Sequence, residues 1–410
     1  MCVRARIGLS YPAQLKFNVH EYMNNHYVKY TPMLSLAPSY ASEYFKVEKS
    51  SDCLAPFDRF DITTVDNSDQ FSKTSQKKLK NYIDWFVEQS KMKRVTNLKT
   101  KKDKFYKLNL ITLTLPFEQF HSDQEIKNKL LNQFLVEAKK RWLMHNYIWR
   151  AEKQKNGNIH FHIVSDVFVP WQECRQVWNR ICDKLDLVKM YTARMKERFE
   201  LGFNVTPEEL EKYSIHVLKS RYKSGKKTGW SDPNSVDVHS LYNINNVGAY
   251  LTKYLTKKEE INLEQFVATA GAPSEIVDLL EKQKAEYLSK KSVTGRNWFV
   301  SDNIRHYCKN LTLEIKDDIK DLCLEAFTEM KDYIINNEFV TVIKKGAQYF
   351  SKKSKLIKQA YDKHIEDMRA KLHPGCNANC LWKIKHLQIN LQKAATPKLQ
   401  PCQLNLFLNT

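Results

Sequence analysis

The amino-acid sequence reads as an α+β protein, on three observations. Short β-branched and apolar runs alternate with amphipathic helical stretches from about residue 72 onward. Two of those runs, residues 147–152 and 158–166, are separated only by a tight turn at Lys155-Asn156-Gly157, which makes them antiparallel neighbours. From about residue 263 the pattern becomes mostly helical.

Residues 1–70 show no clean period, and an irregular arm with short elements is expected there. In residues 72–94, Leu79, Tyr82, Ile83, Phe86 and Val87 fall at i, i+3, i+4, i+7 and i+8, the stripe of an amphipathic helix, with Lys77, Lys78 and Lys80 on its other side. The charged run Lys99 to Lys104 reads as a solvated linker or a phosphate contact. Leu108 to Leu115, closed by Pro116, is a strong strand. Residues 123–143 follow as a helix with Ile126, Leu130, Leu131, Phe134 and Leu135 on one side. The two hairpin strands come next, then a helix from Trp171 to Leu185. Residues 186–235 are polar, with a basic loop expected at Lys219 to Lys227. Val236 to Leu241 is a short strand, and Asn245 or Asn246 can cap a helix that follows it. A second basic stretch lies at Lys352, Lys353, Lys355 and Lys358. These shifts divide the chain into an arm (1–70), a central α+β domain (71–310) and a basic, mostly helical C-terminal region (311–410).

Composition narrows the function. Hydrophobic residues make up 42% and aromatic residues 12%, so the chain can build a core. Lys and Arg number 66 against 46 Asp and Glu, a net charge of +20 that favours a polyanionic partner. No run is long and apolar enough to cross a membrane, and no apolar signal core is seen, so nucleic acid in a cytoplasmic setting is expected rather than a membrane. The nine cysteines are scattered and odd in number, against a secreted disulfide framework. Only His373, Cys376, Cys380 and His386 cluster, and their spacing matches no common zinc finger.

Two segments carry chemistry. In Ile159-His160-Phe161-His162-Ile163 a strand puts both imidazoles on one face and Phe161 on the other. Whether Glu152 joins them depends on the turn. A two-residue loop would leave it facing Phe161; a three-residue loop, Lys155-Asn156-Gly157, would set it opposite His160. Gly157 at the third loop position favours the longer loop, though Asn-Gly also suits the shorter. Two histidines and a carboxylate suit Mg²⁺ or Mn²⁺ on a phosphate oxygen, or alternatively zinc; the bland reading is a pair of half-exposed strand histidines. In Tyr250-Leu251-Thr252-Lys253-Tyr254 the two tyrosines stand one helical turn apart, with Lys253 and Lys257 repeating the interval. A tyrosine nucleophile must be ionised or polarised against an ordinary pKa of about 10, and ammonium groups beside it favour that. By itself such a pair is usually a packing face. His239 is read as structural.

The order of these motifs — a strand LITLTLP at 110–116, Glu152 to His162, then YLTKYLTK at 250–257 — resembles the HUH endonuclease superfamily. Within it, the chain is similar to rolling-circle replication initiators of small single-stranded DNA phages and bacterial plasmids, over roughly residues 72–305. The resemblance implies a five-stranded antiparallel sheet flanked by helices, with the histidine pair on a central strand. It implies that Glu152, His160 and His162 hold Mg²⁺ or Mn²⁺, and that Tyr250 and Tyr254 are the nucleophiles, aided by Lys253 and Lys257. The implied partner is single-stranded origin DNA in a bacterial cytoplasm. No G-x-x-x-x-G-K-[ST] occurs, Ser220 standing where its first glycine would be ahead of Gly225-Lys226, so no nucleotide cofactor is expected. A host helicase and DNA polymerase would then act with the protein. Conjugative relaxases place the tyrosine before the histidines, and single-tyrosine transposases are shorter; these, and a non-catalytic DNA-binding module, are the competing readings.

Overall fold

A computed structural model describes residues 28–49, 72–96, 103–241, 247–255, 274–336 and 340–373. The chain opens with a hairpin of β1 (Val28–Ala37) and β2 (Tyr40–Lys49). Helix α1 (Lys73–Gln89) follows, started by Ser72, whose side chain accepts from the Ser75 amide. Strands β3 (Lys93–Thr96) and β4 (Asp103–Tyr106) form a two-stranded ribbon. Then come β5 (Leu108–Thr114), α2 (Asp123–Ile126), a π-helical turn over Lys127–Leu131 and α3 (Asn132–Trp142). The hairpin pairs β6 (Tyr147–Lys153) with β7 (Ile159–Ser165), and α4 (Trp171–Cys182) follows it. Three helices, α5 (Leu187–Arg198), α6 (Pro207–Lys212) and α7 (Ile215–Thr228), precede β8 (Val236–Leu241) and α8 (Val247–Leu255). The remainder is α9 (Ser274–Lys291), β9 (Trp298–Val300), α10 (Asp302–Tyr307), β10 (Leu311–Glu314), α11 (Asp317–Glu329), β11 (Ile334–Asn336), β12 (Val340–Lys344), α12 (Gly346–Lys353) and α13 (Lys355–Leu372).

Five strands form the central antiparallel sheet in the order β8-β5-β7-β6-β9, so the histidine strand β7 lies in its middle. Side chains alternate between two covered faces. On one, Ile111, Leu113, Trp149, Ala151, Phe161 and Ile163 pack with Leu130 and Phe134 beneath α3 and with Trp178 of α4. Phe161 is fully buried there, edge-on to Trp149 and Trp178. On the other face, Leu110, Ile148 and Val164 join Leu79, Ile83 and Phe86 of α1 and Leu251 and Leu255 of α8.

That second core continues into another sheet, ordered β10-β1-β2-β12-β11, which contributes Leu34, Leu36, Ala41 and Ile343. Helices therefore lie between two sheets. The irregular arm expected over residues 1–70 holds, at 28–49, two long strands, because β1 and β2 find partners in β10 and β12 near the other end of the chain. The helical C-terminal region likewise includes strands alongside α11, α12 and α13.

The basic run expected as a loop at Lys219 to Lys227 is helical, inside α7. Its Leu218 is buried and Tyr222 sits 6.0 Å from the Trp230 ring, and lysine is a good helix former once such a face is buried. The second basic stretch is partly neutralised: Lys353 lies 2.5 Å from Glu325 and 2.9 Å from Glu329, both on α11. Asn245, Asn246, Lys257, Cys376, Cys380 and His386 lie outside the described residues, so the cap, the last lysine of the tyrosine motif and the cysteine cluster do too. His373, the first member of that cluster, stands 3.1 Å from Asp166, a carboxylate held below its ordinary range despite burial by Lys93, His373 and Asn146. Among the described residues no helix is long and apolar enough to cross a membrane.

Candidate metal centre and nucleophile helix

The turn between β6 and β7 decides the site. Lys153 pairs with Ile159, Glu152 with His160 and Arg150 with His162, so the longer loop is the one formed. Gly157 supplies its left-handed residue, at φ 83°. Glu152 therefore lies on the same face as both imidazoles, as the loop chemistry anticipated.

The three side chains converge. One ligand atom from each of Glu152, His160 and His162 lies within 4.8 Å of the others. A Glu152 carboxylate oxygen is 3.7 Å from His160 Nε2 and 3.9 Å from His162 Nε2. These separations exceed a hydrogen bond. They match donors spread around a cation at about 2.1–2.2 Å from each. Glu152 Oε1 and both ring nitrogens of His160 are buried without a hydrogen-bond partner. Buried polar atoms are rarely left this way unless something else binds them. On that observation the donor set fits a divalent cation.

The surroundings set the charge states. Burial pushes the His162 imidazolium equilibrium down to about 4, with the neighbouring His160 and Arg150 charges adding to the effect and Glu152 opposing it. His162 is thus a neutral imidazole at physiological pH, the form that coordinates. Burial pushes the Glu152 carboxyl up, but His160, His162 and Arg150 outweigh it and hold the group below the ordinary glutamate range. Glu152 is therefore anionic.

Two neighbours in this register were not singled out from the sequence. Thr112 on β5 sits opposite His162, and its Oγ1 is 3.1 Å from His162 Nδ1. With Nδ1–H donating to that hydroxyl, Nε2 presents its lone pair towards Glu152. Arg150, on the same face, is almost fully buried one residue pair along from Glu152. The parity of LITLTLP could have revealed Thr112, since it shares a face with Leu110; a buried arginine has no such signal. Thr112→Val keeps the shape and removes the acceptor. It is expected to weaken Mn²⁺ binding about 10- to 100-fold by isothermal titration. Equal affinity in the variant would remove Thr112 from this role.

Farther along the same row, Asp237 of β8 pairs with Thr112, and Asp237 Oδ2 accepts at 2.6 Å from His239 Nε2. That bond raises the His239 pKa, against the lowering effect of partial burial. His239 shares the sheet face of the histidine pair, a placement that the sequence did not distinguish from a purely structural one.

The tyrosine helix covers this face. Leu251 and Leu255 of α8 are buried with Leu110, Ile148 and Val164. Val164 is two residues beyond His162 on β7, about 6.6 Å along the strand. Tyr250 is half-buried against the same cluster, while Lys253 is exposed. The Tyr254 backbone stands one helical turn beyond Tyr250; its side chain and Lys257 are outside the described residues.

Fold and site together define an α+β domain with a His-His-Glu donor set in the middle of an antiparallel sheet and a tyrosine-bearing helix over the same face. Residues 109–259 match the family model of the replication-associated protein ORF2, a span that begins on β5 and takes in Thr112, the donor set, β8 and both tyrosines. Comparison with curated proteins and with solved structures gave no match. The family match supports a replication initiator of the Rep type, acting in DNA replication.

Proposed function

We propose that the protein nicks one strand of DNA at an origin through a tyrosine nucleophile, leaving a 5′-phosphotyrosine and a free 3′ hydroxyl, and later rejoins the strand. On this reading it is an HUH-type endonuclease and strand transferase that starts rolling-circle replication. The observation that supports it best is the convergence of Glu152, His160 and His162, with orphaned buried atoms, on the sheet face covered by the Tyr250 helix. A merely structural trio would have satisfied those atoms internally.

Bound there, Mg²⁺ or Mn²⁺ would act as a Lewis acid on an oxygen of the scissile phosphate. The chain's own groups do the rest. A phenol oxygen of Tyr250 or Tyr254 attacks phosphorus and loses its proton. The bond from phosphorus to the 3′ oxygen breaks, and that oxygen takes up a proton. Lys253 and Lys257 stabilise the phenolate and the phosphate charge. Two tyrosines allow two successive transfers, the second releasing the first strand end for closure. The phosphodiester bond is exchanged rather than hydrolysed, so no nucleotide is needed for rejoining. Unwinding and synthesis fall to a host helicase and polymerase, in the cytoplasm of a bacterial host.

The test incubates the protein with single-stranded oligonucleotides tiling the replicon that encodes it, with Mn²⁺. A covalent protein–DNA band should appear on a denaturing gel for one tile and vanish with chelator. If no tile gives a metal-dependent adduct, the proposal fails.

A further inference from the structure

Helix α7 carries a charge pattern that the nicking site does not use. Lys219, Lys223, Lys226 and Lys227 recur at i, i+4, i+7 and i+8, which gathers them on one side of the helix. All four are exposed, and none has an ion pair among the described residues. The adjoining side is held inward. Leu218 is buried, and Tyr222 lies 5.1 Å from the Phe199 ring, itself stacked on Trp230 at 4.8 Å. A Cβ on Gly225 would come within 1.9 Å of the Trp230 ring, so the helix approaches that indole as only glycine permits. The stripe is therefore a fixed row, with successive turns advancing by about 5.4 Å.

The arm formed by α5, α6 and α7 is tied to the metal end of the central sheet. Arg194 of α5 is 2.7 Å from Glu118 and lies over the Phe117 ring at 5.4 Å. Phe117 and Gln119 are in turn bonded to the turn of the β6–β7 hairpin: Asn158 Nδ2 donates to the Phe117 carbonyl, and the Ile159 amide donates to Gln119. That hairpin carries Glu152 and His160. At its other end the arm is fixed by Arg175 and Asn179 of α4, which both bond Asp232 just before β8.

We propose that this lysine stripe is a clamp for the phosphate backbone of duplex DNA flanking the nicking site. The inference rests on the preceding reading that the substrate is DNA. Duplex is favoured over single strand because the arm offers charge without stacking surfaces. Its Phe199, Tyr222 and Trp230 rings are engaged with one another, and Arg221 covers the Tyr213 ring at 4.0 Å. Single strands are held by exposed aromatic platforms, whereas duplex is held through phosphates. Uncompensated charge also separates this stripe from Lys353, which two glutamates neutralise.

The test measures binding of the full chain to a random-sequence 30-base-pair duplex and to a 30-nucleotide single strand (about three turns of B-DNA) over a range of salt. The combined variant Lys219→Ala, Lys223→Ala, Lys226→Ala and Lys227→Ala should lower the slope of log K against log salt on duplex by about 3–4, near 0.9 per lost phosphate contact. Between 50 and 200 mM salt, wild type should thus lose about a hundredfold more duplex affinity than the variant. The corresponding four Lys→Arg changes should keep the wild-type slope, which separates lost charge from a misfolded arm. An unchanged duplex slope in the alanine variant, or a loss confined to the single strand, would overturn the clamp. Duplex binding is read without nicking, so its failure leaves the metal-dependent adduct standing, and absence of that adduct leaves the slope measurement intact.

Discussion

Changing Tyr250 and Tyr254 together to phenylalanine is expected to abolish the covalent protein–DNA adduct while leaving the fold and non-specific DNA binding in place. Only the hydroxyls are lost. Tyr250 packs its ring against the cluster that buries Leu251 and Leu255, and phenylalanine preserves that contact. DNA affinity rests on phosphate contacts elsewhere, so retention on a nitrocellulose filter should change little. The adduct, in contrast, has no other tyrosine on this helix to draw on, and its yield on a denaturing gel should fall below detection. The single changes discriminate the roles. Either one alone should still permit one transfer, yet block the second transfer that closes a circle. An adduct that persists in the double variant would move the nucleophile off α8 altogether.

Much of this site was legible because it depends on local rules. Strand parity put His160 and His162 on one face, and loop length with Gly157 put Glu152 opposite His160, the register formed in the structure. Helix α1 was equally readable, since Leu79, Ile83 and Phe86 bury as their spacing requires. Strand β9 was not: its three residues, Trp298–Val300, are too short to show a period, and they complete the sheet only by pairing with β6. Strands β1 and β2 were hidden for another reason. Pro32 interrupts the first, and one partner strand, β12, lies at 340–344, so nothing local marks the pairing. Helix α7 was obscured by its own composition, because a row of lysines with one buried leucine looks like a solvated loop until Trp230 closes over Gly225. Thr112 and Arg150 matter only through a neighbouring strand, and that information is absent from either segment alone.

His160→Ala separates a metal site from a structural cluster more sharply than any activity assay by itself. Both ring nitrogens of His160 are buried without a partner, so the side chain contributes little polar stabilisation to the metal-free fold. In chelator, the melting temperature of the variant should therefore stay close to that of wild type. Adding Mn²⁺ should raise the wild-type melting temperature, because a ligand at a hundredfold excess over its Kd stabilises by about 2.7 kcal/mol. The variant, with one of three donors gone, should show little or no rise over the same range. Nicking should fall in parallel. Losing about 4–6 kcal/mol of transition-state charge stabilisation corresponds to about a 10³- to 10⁴-fold slower adduct formation. The alternative predicts the reverse pattern. If His160 merely fills space between Glu152 and His162, truncation should destabilise the chelated protein, and Mn²⁺ should shift wild type and variant alike. A metal-dependent shift confined to wild type, with no loss of stability in chelator, is the combination that only a cation held by Glu152, His160 and His162 produces.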